Sequence, residues 1–597
     1  MTKISLKTAS RIIPMIYAYS TPQIEDHNGW TKIGYTEKQD VDTRIAQQTH
    51  TSDTKVRLEW KGSAIFDDGS GRRFTDKEFH AYLRKDGVEN KKGTEWFHID
   101  GPNGLSKFTA FRMDGGVHTQ YDVIPYTLRK EQAEAVALTK KYVEANAEDG
   151  QFLWNAKPRF GKTLSVYDLC KQLKFKKVLI VTNRPAIANS WYEDYEKFMG
   201  DASGFKFVSE SPALRDKRLV LTRSQFIGCG GYGLIEFLSL QDLKGSLYFG
   251  GKFDKLKELT EITWDMLVID EAHEGVDTLK TDTAFDHIKR NFTLHLSGTP
   301  FKALANDKFA DNEIYNWTYA DEQKAKREWT GAPDENNPYE KLPCLNLFTY
   351  QMSEIVRDEA ERGVEINGET EEYAFDLNEF FETKNGRFVH DESVTKFLDA
   401  LTTQEKFPFS TDELRAELKH TFWILNRVDS AKALAKKLQE HPVFSQYAIV
   451  LAAGDGKTDD AEETQISITK VKKAIAEHDR TITLSVGQLT TGITIPEWSA
   501  VLMLGNMKSP ALYMQAAFRS QNPWTYSENG EYFMKENAYV FDFDPARTLT
   551  IFDEFANDLS SGTSGGRGNT DERKQHVREL LNFFPVIGED ENGEMIQ

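Results

Sequence analysis

The sequence predicts an α/β chain in which a small α+β domain precedes two parallel-sheet domains. Three observations lead there. Apolar runs such as Gln151-Phe152-Leu153-Trp154, Lys177 to Thr182, Trp264 to Ile269 and Leu294 to Leu296 end in small polar or acidic residues and alternate with helical patterns, the signature of strand–helix units in a parallel sheet. The alternation restarts at His420 to Leu425 and continues through Thr481 to Val486 and Ala500 to Leu504. The first hundred residues differ, with short strand patterns at 15–19, 30–35 and 95–99 separated by polar loops.

The chain has 597 residues, enough for several domains of roughly 100–200 residues each. The patterns divide it into 1–105, a connector 106–126, a first parallel-sheet domain 127–305, a linker or insertion 306–410, a second such domain 411–560 and a tail 561–597. The 306–410 stretch is rich in Asp, Glu and Asn and offers one strand pattern, Leu345 to Tyr350. In the tail, Asn592-Gly593 is a hairpin signal whose returning strand stops at once. Both a frayed end and separation from a further C-terminal region fit that pattern. Hydrophobic residues make up 39% of the chain, ample for packed cores, and the net charge of −19 argues against binding a polyanion over the whole surface. Local basic grooves remain compatible with it. Cys170, Cys229 and Cys344 are far apart and lack metal-ligand spacing, which points to a reducing interior. Arg11 and Pro14 interrupt any signal-peptide pattern, and no run approaches the ~18 apolar residues of a membrane helix. The expectation is a cytoplasmic protein without a membrane segment.

The segment Ala156-x4-Gly161-Lys162-Thr163, between a strand and a helical pattern, has the spacing of a phosphate-binding loop, with Ala156 in place of the usual first glycine. Gly161 lets backbone N–H groups approach phosphate, and the following helix N-terminus favours an anion. Lys162 supplies a cation for the β/γ phosphates and Thr163 a hydroxyl for Mg²⁺. Arg159 and Phe160 lie inside the loop. Asp270-Glu271-Ala272-His273 follows a buried-strand pattern, at the sheet edge where ligands bind in open α/β folds. Asp270 is placed to hold Mg²⁺, and Glu271 to activate the attacking water.

With Leu294-His295-Leu296-Ser297-Gly298-Thr299-Pro300, this series resembles the superfamily 2 helicases and translocases with a DEAH-type box. Two RecA-like motor domains, ATP and Mg²⁺ follow from the resemblance, which runs from Arg129 to Arg519. Leu128-Arg129-x-x-Gln132 resembles the motif preceding the phosphate loop, with Gln132 suited to the adenine edge. Tyr126 fits either stacking on the base or packing. Thr182-Asn183-Arg184-Pro185 and Thr490-Thr491-Gly492 resemble the strand-end motifs of this superfamily. Thr182, Arg184, Thr490 and Thr491 are the implied phosphate contacts to nucleic acid, and Gly492 the close turn at the nucleotide. Gln515 and Arg519 match the sixth motif, with Arg519 as the implied arginine finger. Phe518 replaces that motif's glycine and Asn522 its last arginine. The pattern is nearest to the helicase subunits of restriction systems.

The first hundred residues resemble the GIY-YIG nuclease domain. Ile16-Tyr17 matches the first half of its signature and Lys32-Ile33-Gly34 the second, with Lys32 in place of tyrosine. Arg44 matches the catalytic arginine, and Glu78, in the capped helix opened by Thr75, the metal-binding glutamate. Phosphodiester cleavage needs a metal ligand, a cation for developing charge and a group that activates water. Glu78, Arg44 and Tyr17 have those chemistries, with Lys32 as a further proton-transfer candidate. The implied protein is an ATP-dependent DNA helicase or translocase coupled to a metal-dependent endonuclease. It would act on double-stranded DNA in restriction or anti-phage defence, with further defence subunits as partners. A repair motor whose N-terminal domain binds DNA without cutting, and a nucleotide-dependent switch or scaffold, are the alternatives.

Overall fold

Gly150–Ala156 lies near one edge of the first large sheet of the computed structural model. The structure describes residues 3–49, 55–113, 115, 123, 126–146, 150–182, 187–211, 214–215, 217–270, 285–298, 308–330, 337–351, 376–453, 461–487, 489–490, 493–558, 560, 562–589 and 595–596. Among them, eight parallel strands run in the order Ile314–Trp317, Gly150–Ala156, Phe292–Ser297, Met266–Asp270, Lys177–Thr182, Gly233–Ser239, Phe205–Val208 and Val220–Leu221. Lys177–Thr182 is buried at every position but the first, as a central strand covered on both faces must be. One face packs under Trp154, Val166 and Trp191, the other under Leu240, Trp264 and Phe285.

The second large sheet has the order Ala448–Ala452, Thr481–Ser485, His420–Ile424, Ala500–Met503, Asn537–Asp542, Cys344–Thr349, Val586–Glu589 and Met595–Ile596. It is parallel except for the last strand, which returns antiparallel to Val586–Glu589. Two parallel sheets with helices on both faces match the expected pair of RecA-like domains.

Three expected boundaries need correction. Ile314–Trp317 belongs to the first sheet, beyond the boundary at 305. Cys344–Thr349, inside the stretch taken as linker, is an inner strand of the second sheet. The tail supplies Thr570–Phe583 as a helix and Val586–Glu589 as a further strand of that sheet. The turn residues Asn592 and Gly593 lie outside the described residues. All three are short segments positioned by partners distant in sequence, a signal no local periodicity carries.

The N-terminal domain is a four-stranded antiparallel sheet, ordered Arg57–Ser63, Met15–Ser20, Thr31–Thr36 and Trp96–Phe97. Arg57–Ser63 was not anticipated, and the helix Gly101–Met113 crosses the expected boundary at 105. Ahead of this domain, Ala9–Ile12 pairs antiparallel with Glu531–Lys535 of the second parallel-sheet domain, which pairs in turn with Thr525–Glu528. Tyr532 donates its hydroxyl to the Gly71 carbonyl at 2.9 Å, and Lys38 meets Glu536 at 3.1 Å. Among the described residues no helix is long and apolar enough to cross a membrane.

Candidate functional site

Gly161 adopts φ +85° at the N-cap of the helix Lys162–Leu173, a conformation that costs glycine little and other residues more. A β-carbon there would lie 2.4 Å from the Gln132 amide nitrogen. That amide donates to the Phe160 carbonyl at 2.7 Å, while its oxygen accepts the Arg129 N–H at 2.8 Å. Arg129 also donates to the Phe160 carbonyl, at 2.6 Å. The motif ahead of the loop therefore braces the loop backbone, and in this state Gln132 is engaged there. Lys162 Nζ donates to the Ala156 carbonyl at 2.8 Å. Thr163 is the second residue of the helix and is half-buried.

Asp270 ends its strand beside Thr182 and is 6% exposed. It accepts the Trp191 indole N–H at 2.9 Å. Trp191, which the sequence reading missed, thus orients the candidate metal ligand. Glu271, Arg184, Thr491 and Gly492 lie outside the described residues. Thr182 is buried, and Thr490 is buried with its hydroxyl on the Gly487 carbonyl at 2.7 Å.

The second parallel-sheet domain reaches the loop through residues to which the sequence reading gave no role. Lys157 Nζ lies 2.8 and 2.7 Å from the two carboxylate oxygens of Glu322, with side chains 3% and 1% exposed. Glu322 belongs to the helix Tyr319–Arg327, whose Tyr319 packs on Phe518 and Phe584 in the second domain's core. Gln521 donates to Glu322 at 3.1 Å and to the Pro343 carbonyl at 3.0 Å. Burial pulls the Lys157 ammonium down in pKa, and the Glu322 carboxylate opposes that pull. Arg159, at φ +75°, donates across to the Thr494 hydroxyl at 3.0 Å. Burial lowers its pKa to about 10, so it stays charged at physiological pH. Arg519 is buried within its own domain, donating to the carbonyls of Ile493 and of Gln515, the latter at 3.1 Å.

In the N-terminal domain, alternate strand residues face opposite sides. Tyr17 and Tyr19 stack with ring centroids 6.4 Å apart under the helix Val41–Thr49, which carries Arg44 and Gln48. Tyr17 is opposite Gly34 in the ladder, and Tyr19 opposite Lys32. Lys32 meets Glu95 at 3.6 Å. Burial raises the Tyr17 phenol pKa, with the Arg44 charge opposing, so Tyr17 remains protonated. Glu78 sits elsewhere. It is exposed on the helix Asp76–Lys85, whose Phe79 and Leu83 cover the opposite face of the sheet. Its carboxylate accepts the Thr75 N–H at 2.7 Å as the capping partner. Its neighbour His80 bonds the Ile33 carbonyl at 2.8 Å, fixing that helix to the strand of Lys32 and Gly34. The structure therefore gathers Tyr17, Lys32 and Arg44 on one face and leaves Glu78 at the edge of the other.

Residues 125–302 match the family model described as Type III restriction enzyme, res subunit. Residues 15–111 match the family model described as the T5orf172 domain. A Mycoplasma pneumoniae protein, described as the C-terminal part of a candidate type II restriction enzyme and methyltransferase, is 28% identical over 495 residues. The aligned part covers 72% of this chain and 66% of that protein. An ATP-dependent Type ISP restriction-modification enzyme, solved bound to DNA, superposes with a TM-score of 0.45 at 14% identity, covering 79% of this chain and 32% of that one. The chain thus spans less than two thirds of either relative.

Proposed function

We propose that this chain is an ATP-driven DNA translocase joined to a metal-dependent endonuclease of GIY-YIG type, acting on double-stranded DNA in restriction or anti-phage defence. The observation that carries the motor reading is the αL turn at Gly161 opening a helix at Lys162, on the same sheet edge as Asp270 and facing Thr494 of the second domain. Lys162 leaves the Ala156 carbonyl to meet the β/γ phosphates, and the helix N-terminus receives the same charge. Thr163 and Asp270 have the oxygen ligands that Mg²⁺ takes, and the indole N–H of Trp191 orients the Asp270 carboxylate. Bound Mg²⁺ supplies neutralisation of the phosphate charge. Glu271 orients and deprotonates the attacking water, and Arg519 swings from Ile493 to stabilise the leaving phosphates. Arg184, Thr491 and the strand ends at Thr182 and Thr490 track the DNA backbone.

In the N-terminal domain, Arg44 stabilises charge developing on the scissile phosphate. Tyr17 positions the attacking water as a phenol, and Lys32 assists proton transfer. Glu78 would hold the divalent metal in this reading only by giving up its Thr75 cap and coming round from the edge of the opposite sheet face. The engagement of Glu78 in that cap favours, as a second reading, a domain that binds DNA without cutting it. Nicking of supercoiled plasmid by wild type, Glu78→Ala and Lys162→Ala in Mg²⁺ or Mn²⁺ separates these readings, with DNA-stimulated ATPase measured alongside. Lys162→Ala should stop ATP turnover. Glu78→Ala should stop nicking with ATPase intact, and equal nicking by wild type and Glu78→Ala would leave a DNA-binding module.

A further inference from the structure

The phosphate loop carries two cations outside its phosphate-binding pattern, Lys157 and Arg159, and both are tied to the second motor domain. Lys157 is engaged by both oxygens of Glu322, and Gln521 holds the same carboxylate. Arg159 reaches Thr494. Ala156, at the end of strand Gly150–Ala156, precedes Lys157 directly. Any rotation of the second sheet against the first must therefore move the backbone that Lys162 grips, or break the pair. A buried pair broken on one side leaves an uncompensated charge, so the connection resists slipping. Lys157 also lies 5.6 Å from the ring centre of Phe518, one residue before Arg519.

We infer that Glu322, Gln521 and Thr494 are positioning residues for ATP hydrolysis. They clamp the phosphate loop through Lys157 and Arg159, so that the second motor domain sets the loop's catalytic geometry. The inference rests on the proposed ATPase reading. On this account, the clamp acts on the step that follows nucleotide binding.

The test uses the full chain with Glu322→Gln, Lys157→Met, the double variant and the milder Thr494→Val. The readouts are kcat and KM for Mg-ATP with and without duplex DNA, together with thermal unfolding. Glu322→Gln should lower DNA-stimulated kcat by about 10–100-fold, the scale of one lost charged hydrogen bond. KM should stay within about threefold, because the phosphate contacts of Lys162 are untouched. The double variant should lose no more than the worse single one, since the two side chains act as a unit. Thr494→Val keeps the fold, because its partner contact is at the cleft surface, and should lower kcat by about threefold to tenfold. Unchanged kcat in folded Glu322→Gln and Thr494→Val, with only the unfolding temperature lowered, would reduce the clamp to a structural contact. Absence of ATP turnover in wild type, or full turnover in Lys162→Ala, would instead overturn the ATPase reading and the clamp with it.

Discussion

Replacing Gly34 with alanine tests the packing that places Tyr17. A methyl carbon on Gly34 would lie 2.6 Å from both Cζ and Oη of Tyr17. Favourable carbon contacts begin near ~3.5 Å, so the ring would have to retreat by roughly 1 Å. Tyr17 is fully buried and stacked on Tyr19, with Val41 and Ile45 above it, which leaves little room for that retreat. Overpacking of this kind costs about 1–3 kcal/mol. As a local opening equilibrium, that is roughly a 5- to 150-fold faster amide exchange across both strands. Hydrogen–deuterium exchange of peptides covering Met15–Ser20 and Thr31–Thr36 measures it in the full chain. In a Tyr17→Leu background the clashing atoms are gone, and Gly34→Ala should then change exchange by less than the equivalent of about 0.5 kcal/mol. An equal effect of Gly34→Ala in both backgrounds, or slower exchange in the first, would refute the clash. The substitution should also lower nicking while ATP turnover is unaffected.

Two further outcomes are expected. Duplex DNA affinity should fall steeply between low and moderate salt, with a log–log slope of about −0.9 per phosphate contacted; affinity that holds constant across that range would remove the proposed groove along the strand ends. Burial and the adjacent Lys419 hold His420 to a pKa of about 4, so it is neutral in the fold while an unfolded histidine takes a proton near 6.5. A depressed pKa of this kind stabilises the fold above 6.5 and loses that contribution as pH falls towards 4. Chemical denaturation followed by the signal of the second motor domain should show this acid slope, and His420→Gln should make it shallower.

The strand–turn–helix around Gly161, Lys162 and Thr163 was legible because its signals are contiguous: each residue needs a local conformation that strand and helix patterns announce. The same holds for Asp270, at the end of an uninterrupted apolar run. Lys157 was not legible, because its meaning depends on Glu322, 165 residues further on. A lysine within a phosphate loop reads as another phosphate contact until its partner is seen. Arg519 was singled out as the implied arginine finger, and its bonds to Ile493 and Gln515 depend on backbone positions that no side-chain pattern encodes. Glu78 was read from spacing alone, and spacing does not say which face of the sheet a helix covers. Cys344–Thr349 was recognised as a strand but not as a member of the second sheet, since its neighbour Asn537–Asp542 arrives nearly at the end of the chain.

The antiparallel pairing of Ala9–Ile12 with Glu531–Lys535 makes the polypeptide a closed circuit. Its small domain is fastened upstream to the hairpin Thr525–Glu528 and Glu531–Lys535, which leads into the second large sheet, and is joined covalently downstream, through 114–126, to the first. Lys535, whose ammonium donates to the carbonyls of Pro496, Trp498 and Ser520, anchors the upstream fastening to the backbone just beyond Arg519. A pivot of one large sheet against the other would leave the covalent length of this circuit unchanged. The small domain's seat against Tyr532 and Glu536 and the Ala9–Ile12 strand are the contacts that such a movement would strain. Displacement of the second large sheet would thus reach the small domain through the polypeptide itself, as a pull on a rein held at its upstream end.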